Sequence, residues 1–557
     1  MRRDGPGTTV ATVFVALVLA TSARAAPPAD GAGLEDTAAA IVAGYLAGLE
    51  VRDEPAQALR LVEAVKVAVE NNPGLRAKAE VPNIVSQEIL KASAAFEPLL
   101  AASSDYGELE EPNTSILEGG TPVFKAEEIQ GEVGLSKKLA TTGGEAGVAW
   151  TNERESNNSR LATLKPTFRS NLTFSLEQPL LRDFAAITDR TTVLTAKNDS
   201  RQARADFAAE LADFIAEVVG AYWDHTGVSA TLEVRRHSLA LARELVREAE
   251  AKVDVGVLPP VAVQEALAEA ASREEQVLRA ENDLALATRT LQYKVMLPLP
   301  GSRVPALVTP GEEHVVDAVE IDRRHAVRDA VAARAEVRSA ALDLANSELE
   351  EKRARNGKLP DLRFVGSYEF VGVRGEVRPI EREGDDPFLS PFDGSYGDTL
   401  ADLFGEDYFR YRVGVELEVP LSNAAARAEF AQASIEVRRA TRALQDVVAE
   451  VGLEVEQALA ELQSATKRVE ASGLSRELAE ENLHNQQRRF ELGAVTTKDV
   501  LDFQQQLSEA MAAEVEAVTD HALAEVELAR ARGTLLARFG VEVDGDGDDA
   551  TPWWSRF

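Results

Sequence analysis

Phe409-Arg410-Tyr411-Arg412-Val413-Gly414-Val415-Glu416-Leu417-Glu418-Val419 alternates without a break, apolar at odd positions and charged or glycine at even ones. A period of two is that of a β-strand with one wet face and one apolar face. Pro420-Leu421-Ser422-Asn423 ends it. From Asn423 to Leu492 no proline interrupts the chain, and Val448, Val455, Leu462 and Val469 recur every seven residues. That spacing is the seam of a coiled coil. The run would reach roughly 105 Å as one α-helix. It stops at Gly493, and Thr497 to Phe539 reads as a shorter helix coming back.

The same signals occur earlier in the same order. Phe168-Arg169-Ser170-Asn171-Leu172-Thr173-Phe174-Ser175-Leu176-Glu177 alternates and leads into Gln178-Pro179-Leu180. Asp183 to Val253 is proline-free, with Leu232, Leu239, Val246 and Val253 one heptad apart, and Val261 to Val295 returns after Gly256. Leu362, Phe364, Tyr368 and Phe370 form a third such stripe in the second half, and Leu100, Ala102 and Tyr106 a fainter fourth in the first. Ala64 and Ala326 lie 262 residues apart, as do Pro98 and Pro360; Pro179 and Pro420 lie 241 apart, and Gly256 and Gly493 lie 237 apart. Four landmarks in one order mark an internal duplication. The change from 262 to 241 gives the first half 21 extra residues between its proline landmarks. There Ile129–Leu139 and Ala146–Trp150 flank Thr142-Gly143-Gly144, a hairpin signal that reads equally as an extended external loop or as a further strand pair.

The duplication divides the chain into a first structural repeat at 55–300 and a second at 321–540, joined by a linker at 301–320. The first repeat holds strands at about 99–178 and a long hairpin at 183–296; the second holds strands at about 361–419 and a hairpin at 423–539. Residues 1–25 have a basic start, an apolar run near Val10–Ala20 and Ala23-Arg24-Ala25, the pattern of a secretory signal peptide cut before Ala26. Residues 26–54 read as a flexible N-terminal segment and 541–557 as an acidic C-terminal tail. Asp544–Asp549 lacks the closing Glu of an EF-hand loop, so a solvated tail is favoured over a calcium site there.

Composition removes several classes. With 60 Lys+Arg against 93 Asp+Glu, the net charge of −33 excludes a nucleic-acid partner, which needs a basic surface. No cysteine is present, so disulfides, thiol nucleophiles and Cys-ligated zinc are out. No His-Glu-x-x-His, Walker loop or Gly-x-Ser-x-Gly elbow occurs, and the expectation is no enzyme, no cofactor and no metal. Trp223 beside Tyr222 reads as helix packing.

The strands fit either the inner faces of a sandwich or a transmembrane barrel wall. Four of them cannot close a barrel alone, so a membrane role demands several chains. A periplasmic coiled-coil adaptor or scaffold, never entering a membrane, stands as the alternative. An adaptor carries one hairpin; duplicated hairpins and duplicated strands favour a duct.

The order of elements resembles the TolC-like outer membrane factor family, also called outer membrane efflux proteins. The resemblance rests on Glu63-Ala64-Val65 with Asn71-Asn72-Pro73-Gly74-Leu75-Arg76, on Gln178–Asp183, on Val419–Asn423, and on Phe490-Glu491-Leu492-Gly493 running into Asp499-Val500-Leu501-Asp502. It implies a mainly α fold with a membrane β-barrel. Each chain would contribute a duplicated strand pair plus long helical hairpin, and a homotrimer would form a 12-stranded barrel and a periplasmic α-helical tunnel. The implied place is the cell outer membrane, extending into the periplasm. The implied function is the passive exit duct of a tripartite efflux or type I secretion system, with a periplasmic adaptor and an inner-membrane transporter as partners. By the same resemblance the hairpin tips, Gly256 and Val257 with Gly493, Ala494 and Val495, dock the adaptor, and Asp499 and Asp502 line the pore gate. On spacing alone Asp499 reads equally as an acid favoured at a helix N-terminus. Ala262 stands where the first half would match Asp499, so closure is expected to rest on Leu492, Val495 and Phe490 rather than on ion pairs.

Overall fold

A computed structural model describes residues 39–40, 42–43, 57–112, 122–159, 162–295, 308–310, 314, 322–382, 385–405 and 408–541. The signal peptide, nearly all of the N-terminal segment and of the linker, and the acidic tail beyond 541 lie outside the described residues. The chain forms two compact units, one holding 87–197 and 346–438, the other 30–86, 198–345 and 439–557. Both repeats contribute to both units.

The first unit is built on a sheet of six strands: β2 (Leu99–Pro112), β3 (Val123–Lys138), β4 (Glu145–Asn157), β5 (Leu164–Pro179), β7 (Asp361–Val377) and β10 (Phe409–Glu418). They lie side by side in that order, every neighbouring pair antiparallel. The hairpin signal around Thr142-Gly143-Gly144 is therefore a strand pair. It stands between β2 and β5, the two strands that the alternation marked in the first repeat. The sheet of one chain therefore holds two strands more than the four expected per chain. The reason is physical: β3 and β4 carry Gly131, Gly134 and Gly147 and many glutamates, which blur the period-two pattern.

Register brings two rows of apolar residues, each drawn from all six strands, onto one face. Leu100 pairs with Leu135, Leu135 with Val148, Val148 with Phe174, Phe174 with Tyr368 and Tyr368 with Tyr411. The next row runs Ala102, Val133, Trp150, Leu172, Phe370, Phe409. Arg169, Arg410, Arg412 and Glu416 fall on the opposite face, because side chains alternate along a strand. Beyond the apolar rows, a short helix α7 (Tyr396–Asp402) covers Ser170 and Gly372. A side chain at Gly372 would come within 2.2 Å of the Thr399 carbonyl oxygen. Arg374 fastens this helix through both carboxylate oxygens of Asp402, at 2.6 and 2.8 Å.

The second unit is helical. Its main elements are α1 (Leu61–Asn71) and the greater part of two long helices, α3 (Ile187–Asp254) and α8 (Ala424–Glu491), each of 68 residues. Each long helix is followed by a return helix of 35 residues, α4 (Val261–Val295) and α9 (Thr497–Ala531). A helix of that longer length extends about 102 Å. In the first repeat α2 (Pro73–Ser93) follows α1, and the second repeat supplies α5 (Arg323–Ala333) and α6 (Ala335–Gly357). In one core, Ala64, Val65 and Ala68 of α1 pack with Leu211, Ile215, Val218 and Tyr222 of α3. In another, Ala326 and Ala330 of α5 pack with Val451, Val455 and Leu459 of α8. The 262-residue offset thus pairs Ala64 with Ala326 and Ala68 with Ala330, each buried where a short helix packs on a long one. The heptad residues Leu232, Leu239 and Val246 are buried, the first two with Val277 and Ala280 and the third with Ala266 and Ala270 of α4. Among the described residues no helix is long and apolar enough to cross a membrane.

Candidate functional site

The candidate site lies where the two long helices turn back. At the end of α3, Gly256 has φ +76°, a left-handed conformation that glycine adopts without steric cost. Its N–H donates to the Val253 carbonyl at 2.9 Å, and the Val257 N–H donates to the Lys252 carbonyl at 2.8 Å. These two bonds satisfy carbonyls that a helix end leaves unpaired. At the end of α8, Gly493 repeats the device with φ +71°, its N–H donating to Phe490 at 3.0 Å and that of Ala494 to Arg489 at 2.9 Å. The space beside each glycine is open. Val255, Val257 and Leu492 are well exposed, Leu492 by 84%.

The return helices start differently. Pro259 and Pro260 lead into α4, where fixed φ suits a first turn. In α9, Thr496 is the N-cap and Asp499 completes a capping box. The Thr496 N–H and hydroxyl donate to Asp499 Oδ2 at 2.8 and 2.7 Å, and the Asp499 N–H donates to Thr496 Oγ1 at 3.3 Å. The backbone hydrogen bond from Thr496, then its hydroxyl, holds the Asp499 carboxyl below its ordinary pKa. Asp499 therefore serves the helix terminus. Asp502, three residues on, is exposed. Ala262, the counterpart of Asp499, is buried.

The two hairpin ends are fastened to each other. Leu245 of α3 is buried with Leu483 and Phe490 of α8 and Val500, Leu501 and Leu507 of α9; Leu258 and Val495 pack on the rim of this cluster. Phe490 is 3% exposed, so of the three residues expected to form an apolar plug it is spent inside one chain, Val495 is half-buried, and Leu492 alone projects. Lys252 reaches across to Phe490, and a second cross-link was not legible in the sequence. Arg273 of α4, 1% exposed, donates to the Ser238 carbonyl at 3.1 Å, to Gln504 Oε1 at 2.9 Å and to the Leu501 carbonyl at 3.3 Å. Its Nε donates to Glu269 at 3.0 Å. One guanidinium thus ties α3, α4 and α9 together, using the fork of donors that only arginine offers.

The histidines give a structural picture. His225 bonds Thr288 at 3.0 Å, and burial pushes its pKa down. His314 Nε2 and His521 Nδ1 lie 2.8 Å apart, with Glu525 nearby. Two nitrogens on one tetrahedral zinc would sit about 3.3 Å apart, so this spacing is a hydrogen bond. His314 also stacks edge-on against Trp223 at 5.1 Å, and Trp223 against Tyr222 at 5.4 Å.

A family model described as outer membrane efflux protein matches residues 326–534. Over those residues the chain is similar to outer membrane efflux proteins. Outer membrane protein TolC of Vibrio cholerae serotype O1 (strain ATCC 39315 / El Tor Inaba N16961) is 24% identical over 366 residues, covering 63% of this chain and 74% of TolC. Two solved structures share the fold at a TM-score of 0.59. The outer-membrane channel OprN is 17% identical and covers 85% of this chain and 90% of its own. The Campylobacter jejuni CmeC outer membrane channel is 14% identical and covers 89% and 92%. The family match falls on the second repeat, which carries Gly493, Asp499 and Asp502.

Proposed function

We propose that three copies of this chain form an outer-membrane channel extending into the periplasm. It acts as the passive exit duct of a tripartite efflux or type I secretion system, fed by an inner-membrane transporter through a periplasmic adaptor. The observation that carries this reading is the sheet whose edges, β2 and β10, are unpaired on their outer sides among the described residues and whose two apolar rows share one face. A single-chain barrel needs at least about eight strands, so six cannot close alone. An apolar face of aromatic and branched residues needs lipid or another apolar layer to cover it. Phe174, Leu176, Val413, Val415 and Leu417 then face lipid, and Arg169, Arg410, Arg412 and Glu416 face the lumen or its rim.

The hairpin ends are the docking points for the adaptor. Gly256 and Val257, and Gly493, Ala494 and Val495, form turns whose outer surfaces are unobstructed, and a bulky side chain at either glycine would spoil both φ and contact. Asp499 and Asp502 line the periplasmic constriction, Asp502 as a ring of carboxylates open to water and Asp499 mainly as the cap that fixes the ring's helix. The scaffold reading loses its support, since a soluble scaffold gives the apolar sheet face nothing to cover it. The test is fractionation together with an export assay. The protein should sediment with outer membrane, and Gly256→Trp or Gly493→Trp should abolish export while leaving it there. Recovery in the soluble periplasm would contradict the reading.

A further inference from the structure

The geometry points to an outer-membrane wall of 18 strands, enclosing a bore about half again as wide as the 12-stranded barrel that four strands per chain would give. The inference rests on the trimeric reading above and concerns what each copy contributes to the wall.

Three observations place the inserted hairpin β3–β4 inside the wall. First, β3 pairs with β2 from Leu99↔Ser136 to Pro112↔Val123, and β4 pairs with β5 from Glu145↔Glu177 to Glu155↔Thr167, with no break in either ladder. The insertion separates β2 from β5 along their whole paired length. Second, the inserted strands keep the faces of their neighbours. Val133, Leu135, Val148 and Trp150 continue the apolar rows, while Glu128, Glu132, Glu153 and Glu155 fall on the polar face. A hairpin folded into the lumen or lying outside the barrel would have no reason to match both. Third, the turn between β3 and β4 is built into the base of the sheet. Thr142 offers its carbonyl to the Ala185 N–H at 2.9 Å and to Gln178 Nε2 at 2.8 Å. Gly143 has φ +78°, and a β-carbon there would lie 2.6 Å from both the Ala186 nitrogen and the Asp183 oxygen. Lys138 pairs with Asp189 beside it.

The remaining edges, β2 and β10, are unpaired along their outer sides among the described residues and run in opposite directions, because an even number of antiparallel strands separates their outer flanks. A neighbouring copy can therefore continue the sheet by setting its β2 against β10, the apolar faces matching. An exposed pair of such edges is otherwise a route to aggregation. With strands about 4.8 Å apart and tilted about 40°, 18 of them give a barrel about 36 Å across between backbones, against about 24 Å for 12. The added lining is acidic, so the wide bore favours cations and neutral cargo over anions.

The test uses the absence of native cysteine, which lets introduced pairs report alone. In the full-length protein in outer membranes, oxidation should join Leu100→Cys with Leu135→Cys, and Val148→Cys with Phe174→Cys. Each should react at least tenfold more than Leu100→Cys with Phe174→Cys. In parallel, the unmodified protein in lipid nanodiscs is imaged by electron cryomicroscopy and its mass measured. A particle of three copies with 18 wall strands is expected. Efficient joining of Leu100→Cys to Phe174→Cys, or three copies with a 12-stranded wall, would overturn the inference while leaving the trimeric duct standing. A particle that does not hold three copies would instead overturn the trimeric reading, and the strand number with it.

Discussion

The Lys252 ammonium lies 3.6 Å from the centre of the Phe490 ring, and its Nζ donates to the Phe490 carbonyl at 3.1 Å. The two residues are 238 positions apart in sequence and end the two long helices. A cation over an aromatic face contributes roughly 0.5–2 kcal/mol when partly shielded from water. Lys252 also occupies a site where a positive charge meets the last carbonyls of a helix. Lys252→Met keeps the aliphatic stem and removes the charge. Hydrogen exchange should then quicken at the amides of 490–500, with the upper helices unchanged. Unaltered protection of that segment would mean that the contact adds nothing to the pairing of the ends.

Arg273 should matter more. Removing it takes the donor from buried Gln504 Oε1 and the extra bond from two helix carbonyls, Ser238 and Leu501. Leaving a buried acceptor without its partner costs about 1–3 kcal/mol. Arg273→Ala should lower the thermal transition of the helical unit markedly, and Arg273→Lys should rescue it only in part, since an ammonium lacks the planar fork. Equal stability of Arg273→Lys and the natural protein would show that charge alone suffices.

For Asp499 the sign of the pH dependence is fixed by its depressed pKa. Such a group stabilises the fold fully above the ordinary carboxylate range, and that contribution is lost as pH falls through the folded value. Amide exchange at 496–500, corrected for its intrinsic pH dependence, should therefore accelerate on strong acidification in the natural protein. In Asp499→Ala those amides should already be fast at neutral pH and show no such acid step. A persisting acid step in Asp499→Ala would assign the titration elsewhere.

Asp502 carries the separate channel prediction. Asp502→Ala with Asp499→Asn should lower cation selectivity in a planar bilayer and weaken block by multivalent cations, while the assembly survives. Undiminished selectivity and block would take both residues out of the pore.

Much of this architecture was legible because two periods differ so sharply. β10 alternates perfectly, and the 68-residue helices contain no proline. The duplication was readable from Ala64 and Ala326 because both are buried where a short helix packs on a long one. The hairpin β3–β4 was seen as a hairpin, but its place could not be read, since strand order is a property of pairing and not of one strand's pattern. The apolar stripe of β7 gives way to Gly372 for a reason seen only in three dimensions, the approach of Thr399. Arg273 sits among glutamates and arginines of a helix that looks uniformly solvated, and nothing local distinguishes it from Arg279, which is exposed. Lys252 and Phe490 meet only because both hairpins end together.

The strand faces make a direct prediction. Val415→Arg places a charge on the apolar face and should cost roughly 2–4 kcal/mol near mid-membrane. Glu416→Ala, one residue along and on the other face, should assemble normally. The reverse pattern, with Val415→Arg assembling and Glu416→Ala failing, would mean that the lumen and lipid faces are exchanged.

The claim on which all of this depends is that the chain works as a membrane-embedded trimer. Native mass measurement of the protein extracted from outer membranes in mild detergent tests it most directly. The account predicts one species of three chains once the detergent is shed. A stable monomer from the membrane fraction, or protein found only in the soluble periplasm, would contradict it.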